Sequence, residues 1–142
     1  MKIDLYNDFL NSNDTLRIFC GDTLVFSSSK ERLVPLMEYI ASGVGNGKSV
    51  TVFDKVMGNA AALLSVKVSA GEVFSPLGSE LAIETLDKYG ITHYLDAKVP
   101  FILRADGVRM CPMEELSIGK TPDEFYTALK ARMKAAGTDG SC

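Results

Sequence analysis

Residues 52–71, VFDKVMGNAAALLSVKVSAG, constrain the fold more than any other part of the sequence. The stretch has the pattern of a strand end followed by a helix whose middle contains only Asn59 and Ser65 as polar residues. A helix this apolar is buried in a core or in a membrane, and this one is shorter than the roughly 20 residues that a membrane span needs. We therefore predict a helix buried in a protein core. We expect Asp54 to cap its start and Gly71 to end it.

The chain of 142 residues has the length of one domain, which we place at residues 1–136, with a disordered tail at 137–142. Its net charge of -3 argues against nucleic-acid binding, which requires a basic surface. No run of about 18 apolar residues occurs, so the sequence predicts a soluble protein without a membrane partner.

The cysteines and the N-terminus indicate a cytoplasmic protein. Cys20, Cys111 and Cys142 are odd in number and scattered, without a C-x-x-C pair, which is typical of a reducing compartment. The first ten residues, MKIDLYNDFL, contain Asp4 and lack the apolar run of a signal peptide.

Strand and helix patterns alternate along the chain and predict a mixed sheet covered by helices on both faces, a three-layer α/β/α sandwich. A hairpin is predicted at residues 16–26, with Gly21 and Asp22 as its turn. The further predicted elements are a strand at 72–75, a turn at 76–79, a helix at 80–89, a strand at 91–95, a hairpin at 101–110, and helices starting at Cys111 and Thr121.

Residues 43–49, GVGNGKS, form a glycine-rich run that ends like a phosphate-binding loop. The pattern G-x-x-x-x-G-K-[ST] requires its first glycine where this chain has Ser42. A helix is predicted before the run and a strand after it, whereas a phosphate loop follows a strand and precedes a helix. We favour a flexible surface loop over a nucleotide triphosphate site.

Three sequence strings resemble those of an uncharacterised prokaryotic family, domain of unknown function 1893. They are DKVMGNAAALL at 54–64, DKYGI at 87–91 and MCPMEEL at 110–116, and the similarity runs from about residue 16 to residue 129. The resemblance implies a cytidine-deaminase-like fold. No activity is established for the family, so the resemblance implies no reaction.

The zinc motifs of deaminases are missing from this sequence. Those enzymes need a [HC]-x-E pattern at the start of the central helix and P-C-x-x-C at the start of the next helix. Residues 54–70 contain no His, Cys or Glu, and the second motif is replaced by PLGSE at 76–80. His93 alone cannot supply the three protein ligands of a catalytic zinc. We therefore predict no metal site, no cofactor and no zinc-dependent deamination.

The starts of the two helices remain candidate ligand sites, because free N–H groups there favour anionic groups. Asp54 could accept a hydrogen bond or act as a general base, and Lys55 could contact an anion. The structural alternative makes Asp54 a cap and Lys55 a solvated neighbour. Ser79 and Glu80 have the same ambiguity at the second helix.

Cys111 is the candidate nucleophile, because a thiol at a helix start has a lowered pKa. The nearby Glu114 and Glu115 oppose that effect, and Glu114 could instead accept backbone hydrogen bonds as half of a capping box.

Two hypotheses follow. The first is a zinc-free deaminase-like domain that binds a small anionic or nucleotide-like ligand through Asp54, Lys55, Ser79, Cys111 and Glu114. The second is a metal-free enzyme with Cys111 as nucleophile or with Asp54 and Lys55 as an acid–base pair. A homo-oligomer is a third, structural alternative.

Overall fold

The computed structural model describes residues 2–43, 48–103 and 107–136. The predicted tail at 137–142 and most of the glycine-rich run lie outside these ranges. The helices and strands are α1 (Lys2–Leu10), β1 (Leu16–Cys20), β2 (Thr23–Ser28), α2 (Val34–Ser42), β3 (Val50–Asp54), α3 (Asn59–Lys67), β4 (Ala70–Ser79), α4 (Glu80–Lys88), β5 (Thr92–Val99), α5 (Pro112–Ser117) and α6 (Pro122–Ala136).

The five strands form one mixed sheet in the order β2-β1-β3-β4-β5. β1 pairs antiparallel with β2 and with β3, whereas β3, β4 and β5 are parallel. The mixed sheet and the hairpin between β1 and β2 are therefore confirmed. The two parallel connections contain α3 and α4, as parallel pairing requires a crossover.

Side chains alternate across the sheet and build two separate cores. On one face, α1 contributes Tyr6 and Phe9, which pack against Phe53 of β3 and the neighbouring Phe19 and Phe74. The larger core lies on the other face and includes residues of β1, β3, α2, α3, α4, α5 and α6. Helices thus cover both faces, as the sequence predicts.

The centre of the larger core is α3, and its predicted burial is confirmed. Residues 59–65 are all buried, and the helix packs against α2, α4, α5 and α6. Three consecutive alanines, Ala60, Ala61 and Ala62, let these neighbours approach the helix backbone closely. In the described part of the chain, no helix has both the length and the hydropathy that a membrane crossing needs.

The predicted ends of α3 are wrong. Asp54 is the last residue of β3, and the helix starts only at Asn59, after the N-cap residue Gly58. Gly71 belongs to β4, because the parallel pairing of β3 with β4 already begins at Ala70. The chain reverses instead at Ser69, whose φ of 65° is left-handed.

The turn predicted at 76–79 is also wrong, because β4 continues to Ser79. Its register with β3 ends at Phe74, so Pro76 removes no ladder hydrogen bond on that side. β5 pairs with the longer β4 and therefore extends to Val99 rather than ending at residue 95. Of the hairpin predicted at 101–110, the described residues show one bridge, between Leu103 and Met110.

Candidate functional site

A cavity of about 230 Å³ lies where β3 ends and α3 begins, opposite the start of α5. Its wall includes the predicted ligand residues Asp54, Lys55, Cys111 and Glu114, together with the helix residues Ala60 and Ala61. The structure therefore brings four of the five predicted site residues to one place. The remainder of the wall is mainly apolar, and its other polar side chains are Thr15 and Arg32.

Asp54 contributes a buried carboxyl group to the cavity wall. Its side chain is on the α3 face of the sheet and is only 8% exposed. Its Oδ1 accepts a hydrogen bond from the backbone N–H of Val56 at 3.3 Å, and no ion pair to it occurs among the described residues. Burial raises the pKa of Asp54 to about 7, against the opposing effect of backbone hydrogen bonds from Val56 and Lys55.

Lys55 directs its charge away from Asp54. Its Nζ donates to the backbone carbonyl of Ser12 at 3.0 Å and lies 4.7 Å from the ring centroid of Phe9. Both partners belong to α1 or the turn after it, on the opposite face of the sheet. Successive residues at a strand end point to opposite faces, so the sequence neighbours Asp54 and Lys55 separate their charges.

Glu114 performs the capping function that the sequence assigns to Asp54. Its side chain is buried, and its Oε1 accepts from the backbone N–H of Asn59 at 2.6 Å. Its Oε2 accepts from the backbone N–H of Ile102 at 2.7 Å. The carboxylate thus joins the start of α3 to the segment before α5. The capping box expected within its own helix is replaced by this bridge between helices.

Cys111 is the N-cap residue of α5, as predicted, but its side chain is 2% exposed. Its backbone N–H donates to the carbonyl of Ile102 at 2.8 Å, which closes the same bridge. The sulfur is disulfide-bonded in the structure, so the thiolate required for nucleophilic chemistry would form only after reduction.

Ser79 lies outside the cavity. It is the N-cap residue of α4, and its hydroxyl accepts from the backbone N–H of Ala82 at 3.0 Å. The predicted helix start is confirmed, and the observed hydrogen bond agrees with the structural alternative for this residue.

A family model described as a domain of unknown function, DUF1893 (TM1506), matches residues 6–133. This chain belongs to the DUF1893 family. It is similar to a DUF1893 family protein (TM1506) from Thermotoga maritima, whose crystal structure superimposes with a TM-score of 0.82 at 26% sequence identity. That match covers 92% of this chain and 88% of the other chain. No curated protein matches.

The family resemblance of the sequence is thereby confirmed, whereas the relationship to deaminases does not follow from these matches. In the described part of this DUF1893 chain, no group of three or more His, Cys, Asp or Glu side chains is arranged to hold a metal ion.

Asn59 is the site residue that the sequence left unassigned. Its Nδ2 donates to the hydroxyl of Ser117 at 2.9 Å, and its Oδ1 accepts from the hydroxyl of Thr85. Together with the bond from its N–H to Glu114, these contacts connect α3, α4 and α5. The only signal in the sequence was a polar residue within an apolar helix, which indicates a buried hydrogen-bond network in this DUF1893 protein.

Proposed function

We propose that this DUF1893 protein is a zinc-free deaminase-like domain that binds a small nucleotide-like or anionic ligand in the cavity beside Asp54. The observation that carries the proposal is the buried carboxyl group of Asp54, which lines a mainly apolar cavity and forms no ion pair with any described residue. It accepts hydrogen bonds from the backbone N–H groups of Val56 and Lys55. An ionised carboxylate has about four acceptor positions, so Asp54 keeps acceptor capacity beyond its backbone hydrogen bonds. A ligand that donates a hydrogen bond to Asp54 would use that capacity.

A nucleotide-like ligand fits the cavity better than a simple anion does. An ionised Asp54 repels an anion, whereas a heterocycle with an N–H group can donate to the carboxylate and bury its ring against the apolar wall. The volume of about 230 Å³ is below the roughly 300–1,000 Å³ of pockets for drug-sized ligands, so the buried part is small.

An anionic part of the ligand has donors available at the start of α3. The first N–H groups of a helix lack acceptors within the helix. In α3, the first of these, the N–H of Asn59, donates to Glu114. The next two belong to Ala60 and Ala61, which both line the cavity. These groups suit a carboxylate or phosphate oxygen, which completes the ligand chemistry of the proposal.

A thermal-shift screen of nucleobases, nucleosides and nucleotides tests the proposal. A ligand at about 100 times its dissociation constant adds about 2.7 kcal/mol to the free energy of unfolding. We expect a saturable rise in melting temperature that is lost in Asp54→Asn and retained in Asp123→Asn, an exposed aspartate on α6. No shift with any of the three compound classes would contradict ligand binding at this cavity.

The second candidate function is metal-free catalysis with Cys111 as nucleophile. It is favoured by one observation: Cys111 and Asp54 line the same cavity, so a substrate could contact both. After reduction, Cys111 would then be alkylated faster than a model thiol at neutral pH, and Cys111→Ser would remove the fast phase. A rate at or below that of a model thiol would contradict this candidate.

A further inference from the structure

A second cavity lies on the other side of Asn59, between α3, α4 and the connection from α5 to α6. Its volume is about 340 Å³, and its wall is about equally polar and apolar, whereas the cavity beside Asp54 is mainly apolar. Two lysines line it, Lys88 at the end of α4 and Lys120 just before α6. The cavity thus combines cations from two elements that are distant in the sequence.

Neither lysine is neutralised by a carboxylate in the described part of the chain. The Nζ of Lys88 lies 5.5 Å from the ring centroid of Tyr89. The Nζ of Lys120 donates to the carbonyl of Leu116 at 2.8 Å, which leaves two of its three hydrogens for other acceptors. Both ammonium groups therefore retain capacity to bind an acceptor.

Several other polar groups of the wall are already hydrogen-bonded. Asn59, Thr85 and Ser117 satisfy one another, and the Ser117 hydroxyl also donates to the carbonyl of Glu114. The Thr121 oxygen accepts from the backbone N–H of Glu124, so its hydroxyl hydrogen remains available. Among the described residues of the wall, Glu84 is the one acidic residue, and it is exposed.

We propose that this second cavity binds a dianionic oxyanion of the phosphate type between Lys88 and Lys120. Two ammonium groups match two negative charges, and charge-assisted hydrogen bonds of this kind are the stronger class. This binding goes beyond the proposed function, because it uses other residues and a different cavity.

Titration with inorganic phosphate near neutral pH and at constant ionic strength tests the site. We expect saturable shifts of the backbone amide resonances of Gly119 and Lys120. The double variant Lys88→Gln/Lys120→Gln should raise the apparent dissociation constant by about tenfold or more, because it removes both charge-assisted contacts. Glu84→Gln should tighten phosphate binding, because it removes the carboxylate that repels the ligand.

The matched control is Lys98→Gln/Lys134→Gln, which removes the same charge at exposed positions outside the cavity. It should leave the dissociation constant within about twofold, because distant exposed charges are screened. Absence of saturable shifts, equal weakening in both double variants, or unchanged binding in Lys88→Gln/Lys120→Gln would overturn the site. These results do not depend on Asp54, so they leave the proposed function untouched.

Discussion

Asp54 makes the stability of the protein depend on pH. Its pKa is about 7 in the folded protein and 3.8 in an unperturbed aspartate, so between these values the folded state binds a proton that the unfolded chain has released. The stabilisation from this proton is fully present below the lower pKa and is lost as the pH rises through the upper one.

The variant Asp54→Asn isolates this effect, since asparagine keeps an acceptor for the N–H of Val56 and does not titrate. We expect it to exceed the wild type in free energy of unfolding by up to about 4 kcal/mol at about pH 8, with the difference vanishing towards about pH 4. Urea unfolding at a series of pH values measures the free energy of unfolding of the wild type and of Asp54→Asn. Parallel pH profiles would show that Asp54 titrates normally in the folded state.

The Glu114 carboxylate of α5 joins this helix to the start of α3 and to the segment that contains Ile102, in addition to the apolar packing between the helices. The joint is tight, because a Cβ on Gly58 would lie 2.9 Å from Cγ1 of Ile102 and 3.1 Å from Oε1 of Glu114. A larger residue at the N-cap of α3 would therefore force the side chains of Ile102 and Glu114 to shift, although its φ of -82° is accessible to any residue.

Glu114→Ala should leave the N–H groups of Asn59 and Ile102 without their acceptor. We expect a loss of about 3 kcal/mol in the free energy of unfolding, because each buried donor without a partner costs about 1–3 kcal/mol. The control is Glu115→Ala, an exposed neighbour for which a change within about 0.5 kcal/mol is expected. Chemical denaturation measures both variants, and similar small losses in the two would refute the role of Glu114 as the cap of α3.

The strand ends were predicted wrongly because they depend on contacts between segments that are distant in the sequence. The sequence correctly predicted the β1–β2 hairpin, the buried α3 and the starts of α4, α5 and α6, because each has a local signal such as a turn residue, an apolar run or a cap. The ends of β4 and β5 depend on pairing with neighbouring strands, which local signals do not contain.

The candidate site shows the same limit. Asp54, Lys55, Cys111 and Glu114 were selected from helix starts, and the fold brings all four to one cavity. Their contacts could not be predicted, because the cap of α3 comes from Glu114, 55 residues away from Asn59. No local sequence pattern indicates that Lys88 and Lys120 line one cavity, because the two lysines come together only when α4 and the α5–α6 connection are folded.

The two faces of the sheet differ in how many helices protect them. Five helices contribute to the core around α3, whereas the described aromatic cluster on the opposite face has α1 as its helical cover. Phe9 is fully buried in that cluster, and its ring centroid lies 5.7 Å from that of Phe53. The two cavities described above lie on the other side of the sheet.

Phe9→Ala should therefore weaken the fold without changing the second cavity. We expect a loss of about 3–5 kcal/mol in the free energy of unfolding, the usual range for a buried phenylalanine. The dissociation constant of phosphate should stay within about twofold of the wild type while the protein remains folded, because distant sites without shared partners contribute independently. Denaturation and phosphate titration on the same preparation provide both values. Weakened phosphate binding in a folded Phe9→Ala sample would mean that the two faces are coupled through the sheet.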